Sequence, residues 1–209
     1  MSENVKRGRF IVFEGLDGSG KGTQIRLLEK KLQSEGRTVV LTAEPTETTV
    51  GGIIRDALAG DPKRSPSELA ALFMTDRVRH CADPKKGIKA MLEMGRDVIC
   101  DRYYFSSFAY QGIDTDLDWV MRSNLDCPEI LVPDVCIFLD VDPDTCMERI
   151  DSSRAFTEIY EKADTLKRIR ARFFEVFEKL SDRENIKIVN AIGDVSEISC
   201  EIAAIVDAL

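Results

Sequence analysis

Between residues 10 and 23 a short apolar run meets a glycine-rich turn and then a helical pattern, and few folds accommodate that junction. Phe10, Ile11, Val12 and Phe13 read as a buried strand. Gly15, Leu16, Asp17, Gly18, Ser19, Gly20, Lys21, Gly22 and Thr23 follow directly. From Lys21 to Glu35 the apolar positions Ile25, Leu28 and Leu32 recur at helical spacing, and Gly36 supplies the stop. A phosphate-binding loop belongs at such a place. Its glycines let backbone N–H groups turn inward around a phosphate chain, Lys21 neutralises the outer phosphates, and the first helical turn offers orphan donors to an anion. The strict pattern has Ser or Thr directly after the lysine; here that place is Gly22, with Thr23 one further on. The usual hydroxyl ligand of Mg²⁺ is therefore missing, or shifted to Thr23.

The alternation of strand and helix continues. Val39 to Leu41 make a second strand ended by Glu44 and Pro45, Val98 to Cys100 a third, Val135 to Leu139 a fourth and Ile186 to Val189 a fifth. Helical stretches run around Ile53 to Leu58, through Pro66 to Met94 with Ser65 as cap and Pro66 in the first turn, from Pro143 to about Ile150, from about Thr157 to Leu180, and on to Ala208. Short apolar strands between helices predict the α/β class, as a three-layer P-loop NTPase fold: a five-stranded parallel sheet with helices on both faces. No repeat or linker divides the 209 residues, so residues 1–209 read as a single domain.

Charge narrows the partners. With 29 Lys+Arg against 37 Asp+Glu the net charge is −8, which disfavours tracking a nucleic-acid backbone but allows a local basic pocket for a small anion. Lys167, Arg168, Arg170 and Arg172 alternate with Glu161, Asp164, Glu175 and Glu178, the pattern of a solvated helix face. No run approaches the ~20 apolar residues of a membrane span, and the apolar segment after Arg9 is too short for a signal peptide. The expectation is a soluble, cytoplasmic chain with no membrane and no nucleic-acid partner. The six cysteines form no C-x-x-C pair and read as reduced, buried thiols. Trp119 reads as a packing residue, and His80 as structural or as pocket rim.

Among P-loop chemistries, a GTPase base-reading N-K-x-D is absent, since none of Asn4, Asn124, Asn185 or Asn190 begins one, and Asp140 is followed by Val141 rather than by the acid of a motor ATPase. Phosphoryl transfer between two small molecules remains, and it requires an acceptor pocket. Leu69, Leu72 and Phe73 share a helical face that turns polar at Asp76, Arg77 and His80, which suits a pocket wall or a core Phe beside a solvated Arg. Asp101 and Arg102 stand at the carboxyl end of the third strand, where open α/β sheets bind ligands. There Arg102 suits a phosphate and Asp101 suits Mg²⁺ held through water; a surface ion pair is the alternative.

The chain closely resembles the thymidylate kinase family. The resemblance rests on F-E-G-L-D-G-S-G-K-G-T-Q at Phe13 to Gln24, E-P-T at Glu44 to Thr46, L-F-M-T-D-R at Leu72 to Arg77, D-R-Y-Y-F-S-S-F-A-Y-Q-G at Asp101 to Gly112 and F-L-D-V-D-P at Phe138 to Pro143. It implies transfer of the ATP γ-phosphate to dTMP, giving dTDP and ADP, with Mg²⁺. Phe73 would stack on the thymine, Arg77 would bond a ring carbonyl, and Ser107 or Gln111 would meet the base edge. Tyr110 would pack on the deoxyribose and exclude a 2′-hydroxyl, and Arg102 would hold the acceptor phosphate. Asp17 would reach the 3′-hydroxyl or orient Arg102, and Glu44 with Pro45 would shape the acceptor wall. A homodimer is implied as well.

Two departures accompany the resemblance. Ala43 replaces the arginine many bacterial relatives carry before E-P, which makes that side of the pocket less basic. Gly18 replaces the P-loop arginine of some relatives, so the catalytic arginine falls to a short lid at about 151–162, where Arg154 is the only arginine. Arg149 would lie against the adenine or do that work itself, and Glu161 would face the acceptor. The competing readings are a broader deoxypyrimidine monophosphate kinase acting on dUMP or dCMP, and a catalytically silent nucleotide-binding scaffold.

Overall fold

The computed structural model describes residues 6–60, 62–151 and 163–209. Five strands, β1 (Phe10–Glu14), β2 (Val39–Ala43), β3 (Asp97–Asp101), β4 (Val135–Asp140) and β5 (Ile186–Asn190), form one sheet in the order β2-β3-β1-β4-β5. Every neighbouring pair is parallel. Successive strand residues face opposite sides of a sheet, and all five residues of β1 are buried, so helices cover both sides there. β2 and β5, at the edges, are only partly buried. The five strands and the α/β class agree with the sequence expectation.

The helices begin and end where local chemistry dictates. α1 (Lys21–Ser34) closes with Gly36 at φ 80, where Gly36 N–H donates to Gln33 O and Arg37 N–H to Leu32 O, the paired bonds of a glycine-terminated helix. α2 (Thr49–Leu58) is capped by Thr48, whose side chain accepts from Gly51 N–H. α3 (Pro66–Ala82) starts as expected, with Ser65 accepting from Glu68 N–H and Pro66 in the first turn. The stretch from Pro66 to Met94 is not continuous, however. α3 stops before Asp83-Pro84, Asp83 Oδ1 accepts from Lys85 and Lys86 N–H, and α4 (Ile88–Glu93) begins anew.

Two helices escaped the periodicity argument. α5 (Tyr104–Tyr110) is buried on every side, so no polar face marks its turn, and α6 (Leu117–Leu125) is short. The remaining helices are α7 (Pro143–Asp151), α8 (Ala163–Leu180) and α9 (Val195–Asp207). An aromatic core joins α5 and α8 to the sheet, with Phe138 4.9 Å from Phe173 and 5.0 Å from Phe177, and Tyr104 stacked on Phe108. Cys81, Cys100, Cys136 and Cys146 are buried free thiols, but Cys127 is half-buried and Cys200 exposed. Trp119 is 38 % exposed and is therefore not a core packing residue. Four α8 cations face an acid: Lys167 faces Asp144, Arg168 faces Asp114, Arg172 faces Glu175, and Arg170 forks onto Asp140 with two bonds.

Candidate active site

The loop after β1 turns back on itself through Gly15 (φ 145), Gly18 (φ 80) and Gly20 (φ 93), backbone conformations that favour glycine. Gly20 caps α1, and the helix start faces the space beyond the carboxyl ends of the strands. Lys21 is 7 % exposed, and its Nζ donates to Gly15 O and Leu16 O at 3.2 and 3.3 Å and lies 4.0 Å from Asp101 Oδ1. Burial, and after it the Arg102 charge, pull this ammonium below the usual lysine range, against Asp101, Asp17 and Glu14. Gly22 and Thr23 are exposed, and a Cβ on Gly22 would meet only Arg26 Nη2, at 3.8 Å.

Gly18 has the opposite surroundings. A Cβ there would fall 2.5 Å from Cys146 O on α7, so α7 packs too close for any side chain. Arg149, also on α7, donates from Nη1 to Gly18 O at 3.1 Å, placing it over the outside of the loop. Arg154 and Glu161 lie outside the described residues.

Beside the loop is a cavity of about 330 Å³. Its floor carries Asp17, Lys21, Asp101 and Arg102; Phe73 and Arg77 reach it from α3, Tyr110 and Gln111 from the end of α5, and Glu44 and Pro45 from the loop after β2. Arg102 has φ 69, the only positive value among the described non-glycine residues. Its Nη2 donates to Asp17 Oδ1 at 3.0 Å and to Tyr110 Oη at 3.2 Å, its Nη1 donates to Ser106 Oγ at 2.9 Å, and its guanidinium lies 5.0 Å from the Tyr110 ring centre. Asp101 Oδ1 is buried with no hydrogen-bond partner. An orphaned carboxylate oxygen on the cavity floor near Lys21 fits a water-mediated Mg²⁺ ligand.

Arg77 is 1 % exposed and almost saturated. Nε and Nη2 grip Glu44 Oε2 at 2.8 and 2.6 Å, Nη1 donates to Asn124 Oδ1 at 2.5 Å, and Nη2 donates also to Ser107 Oγ at 3.1 Å. Of five guanidinium hydrogens, one on Nη1 is left for a ligand. Ser107 thus stands behind Arg77 and does not line the cavity. His80 continues the chain: its Nδ1 lies 3.0 Å from Glu44 Oε1 and its Nε2 2.7 Å from Thr42 Oγ1. A carboxylate only accepts, so Nδ1 carries the proton. Phe73 and Arg77 do form a wall of the cavity, and the polar turn on α3 behind them is a buried network, with Asp76 accepting from Thr46 N–H, Thr46 Oγ1 and Thr48 Oγ1 to hold the loop that carries Pro45.

Three participants were not anticipated. Arg55 on α2 lines the cavity and donates to Pro45 O and Thr46 O, bringing to that side the cation that Ala43 does not supply. Ser106 lines the cavity beneath Arg102. Glu14, fully buried at the end of β1, accepts from Tyr103 N–H, Ser106 N–H and Ser106 Oγ at 2.8, 3.1 and 2.6 Å. Burial pushes its carboxyl up to about 7, against the Arg102 charge and these bonds. A carboxylate inside an otherwise apolar strand was the available sign for Glu14; Arg55 left none, since one cation on a helix is ordinary.

Known proteins are similar to this chain in sequence and in fold. The family model described as thymidylate kinase matches residues 13–202. The chain is 36 % identical to the probable thymidylate kinase of Pyrococcus horikoshii, over 96 % of each chain. It is 34 % identical to the thymidylate kinase of Desulfotalea psychrophila, over 97 % of this chain and 95 % of the relative. In fold it is similar to the solved thymidylate kinase of Candida albicans, with a TM-score of 0.81 at 24 % identity, covering 97 % of this chain and 92 % of that one.

Proposed function

Because the chain belongs to the thymidylate kinase family, we propose that the cavity beside its P-loop is where dTMP takes the γ-phosphate of ATP to give dTDP and ADP. One observation supports this site assignment most: the phosphate-loop lysine, the Asp101-Arg102 pair and the Phe73-Arg77 wall all border one cavity.

The division of labour follows from the chemistry of each group. The P-loop from Gly15 to Thr23 cradles the ATP phosphates with its backbone donors, and Lys21, released from the carbonyls of Gly15 and Leu16, moves with the transferring charge. Arg149 borders the adenine side. Arg102 and Arg55 bind the acceptor phosphate, and Asp17 orients Arg102 through its 3.0 Å bond. Phe73 stacks on the thymine, the remaining Nη1 hydrogen of Arg77 meets a ring carbonyl, and Gln111 faces the base edge. Ser107 and Glu44 act on the base through Arg77, while Tyr110 fills the space a 2′-hydroxyl would need. Arg154 supplies the positive charge that Gly18 leaves out of the loop, and Glu161 faces the acceptor.

Mg²⁺, held through water by Asp101 with Thr23 as a further ligand, would neutralise charge on the ATP phosphates. Among the described residues no group of three or more His, Cys, Asp or Glu side chains has the arrangement of a metal site. That suits a hydrated ion carried in with the nucleotide. The acceptor is already an anion, so the protein's task is alignment and charge stabilisation rather than proton abstraction. The chain acts as a single kinase domain with a short lid at about 151–162, as a homodimer, and in the cytoplasm; no described helix is long and apolar enough to cross a membrane.

The test is coupled ADP release from ATP and Mg²⁺ with dTMP, dUMP, dCMP and AMP offered separately. A strong response to dTMP is expected, and Arg154→Ala should lower kcat far more than it weakens dTMP binding. No response to dTMP would overturn the assignment, and equal responses to all acceptors would overturn the base-reading roles.

A further inference from the structure

Glu14 is a buried carboxylate to which the reaction described above gives no role. A carboxylate at the end of the central strand, fully buried, is costly unless something there requires it. Its bonds show what it holds. Tyr103, the residue before α5, has no side-chain cap of its own, and Glu14 Oε1 takes its place by accepting from Tyr103 and Ser106 N–H. Glu14 Oε2 accepts the hydroxyl proton of Ser106 at 2.6 Å. A serine hydroxyl has one proton, so Ser106 Oγ is left with lone pairs only, and it presents them to Arg102 Nη1 at 2.9 Å.

We propose that Glu14 is a positioning residue for the acceptor-phosphate arginine: by fixing the Ser106 hydroxyl as an acceptor, it sets the rotamer in which Arg102 meets dTMP. This rests on the reading of Arg102 given above. Without Glu14 the Ser106 proton is free to turn toward the guanidinium, and one of its three side-chain anchors becomes repulsive. Asp17 and Tyr110 then hold the fork by Nη2 alone. The other titratable groups that feel the Glu14 charge are Lys21 on α1, Cys100 on β3, Cys136 on β4 and Tyr110 on α5, and none of them is bonded to its carboxylate in the structure. Its raised pKa agrees with a group kept in place at the expense of its own hydration.

The test is a cycle of Glu14→Gln, Ser106→Ala and the double variant, with Arg102→Ala alongside, run at about pH 8, where a carboxyl of pKa about 7 is ionised and accepts the Ser106 proton, and read as KM for dTMP, KM for ATP, kcat and unfolding temperature. The single carbonyl oxygen of glutamine keeps the backbone caps, and its amide NH2 then faces Ser106 Oγ as a donor and cannot accept the hydroxyl proton. The expected result is a rise of about tenfold in the dTMP KM for each single variant, an ATP KM within about twofold of the parent, and a double variant no worse than Ser106→Ala alone. Additive effects, or equal loss for both substrates together with a lowered unfolding temperature, would overturn the proposal and leave Glu14 a structural cap. If Glu14→Gln does not fold, Ser106→Ala decides: an unchanged dTMP KM overturns the proposal and a selective rise supports it. Arg102→Ala separates the layers, because an unchanged dTMP KM in that variant would remove the reading of Arg102 itself.

Discussion

At Gly18, φ is 80 and the Cys146 carbonyl would sit 2.5 Å from a Cβ. Both facts forbid a side chain, so the P-loop arginine of some relatives has no room here while α7 stays where it is. Gly18→Ala is expected to cost at least about 1–2 kcal/mol from the left-handed backbone alone, and to raise the ATP KM about tenfold by pushing α7 off the loop; thermal unfolding and steady-state kinetics check both. Arg77 carries a second prediction. Its planar fork holds Glu44 with two bonds while also reaching Asn124 and Ser107, which a lysine with three donors on a flexible stem does not reproduce. Arg77→Lys should lose about 2 kcal/mol, or roughly 4–8 °C in unfolding temperature for a chain of this size, and raise the dTMP KM at least tenfold. A variant with parental KM would show that the base is read elsewhere.

Between elements, two buried carboxylates pull stability in opposite directions. Asp97 opens β3 and ties it to the residue before β1 and to the turn before β2: Arg9 donates to it from N, Nε and Nη2, and Arg37 from Nε and Nη2. Burial opposes its charge, but the Arg37 and Arg9 bonds prevail and hold it at about 2, below the ordinary 3.8. Its stabilisation is present above about pH 4 and lost as pH falls toward 2. Glu14, which ties β1 to α5, is raised from 4.5 to about 7, so the folded chain holds the proton longer and stability declines as pH rises through that interval. The two groups together place their combined optimum near pH 4–5. Urea midpoints across pH should rise from 2 to 4 in the parent and stay flatter there in Asp97→Asn, while Glu14→Gln should flatten the decline between 4.5 and 7. Parental slopes in both variants would refute the assignment.

For the whole molecule, the homodimer reading predicts a light-scattering mass twice the 23.5 kDa of one chain, and a monomer at micromolar concentration would refute it. The fold's outline was open to inspection in the chain itself. The five apolar runs became the five strands; in β1, β3 and β4 this is because a strand buried on both faces needs an unbroken apolar stretch, and Gly36 and Ser65 ended and began helices through bonds made within a few residues. The P-loop was equally legible, since its chemistry is contiguous. α5 was not, because burial on all sides erases the polar face by which a helix is recognised, nor was the break after Ala82, where a cap and a proline interrupt an apolar pattern that runs on. At the site, short motifs named Lys21, Phe73, Asp101, Arg102 and Tyr110, which border the cavity, but also Ser107, which stands behind Arg77 and does not. Only the tertiary structure decided that Glu14 reaches Ser106 across 92 positions, that Arg55 makes up for Ala43, and that His80, Glu44, Arg77 and Asn124 form one chain. Local rules act over a turn or a strand, whereas the partner of a buried charge is chosen by whichever distant element the packing brings within hydrogen-bond reach.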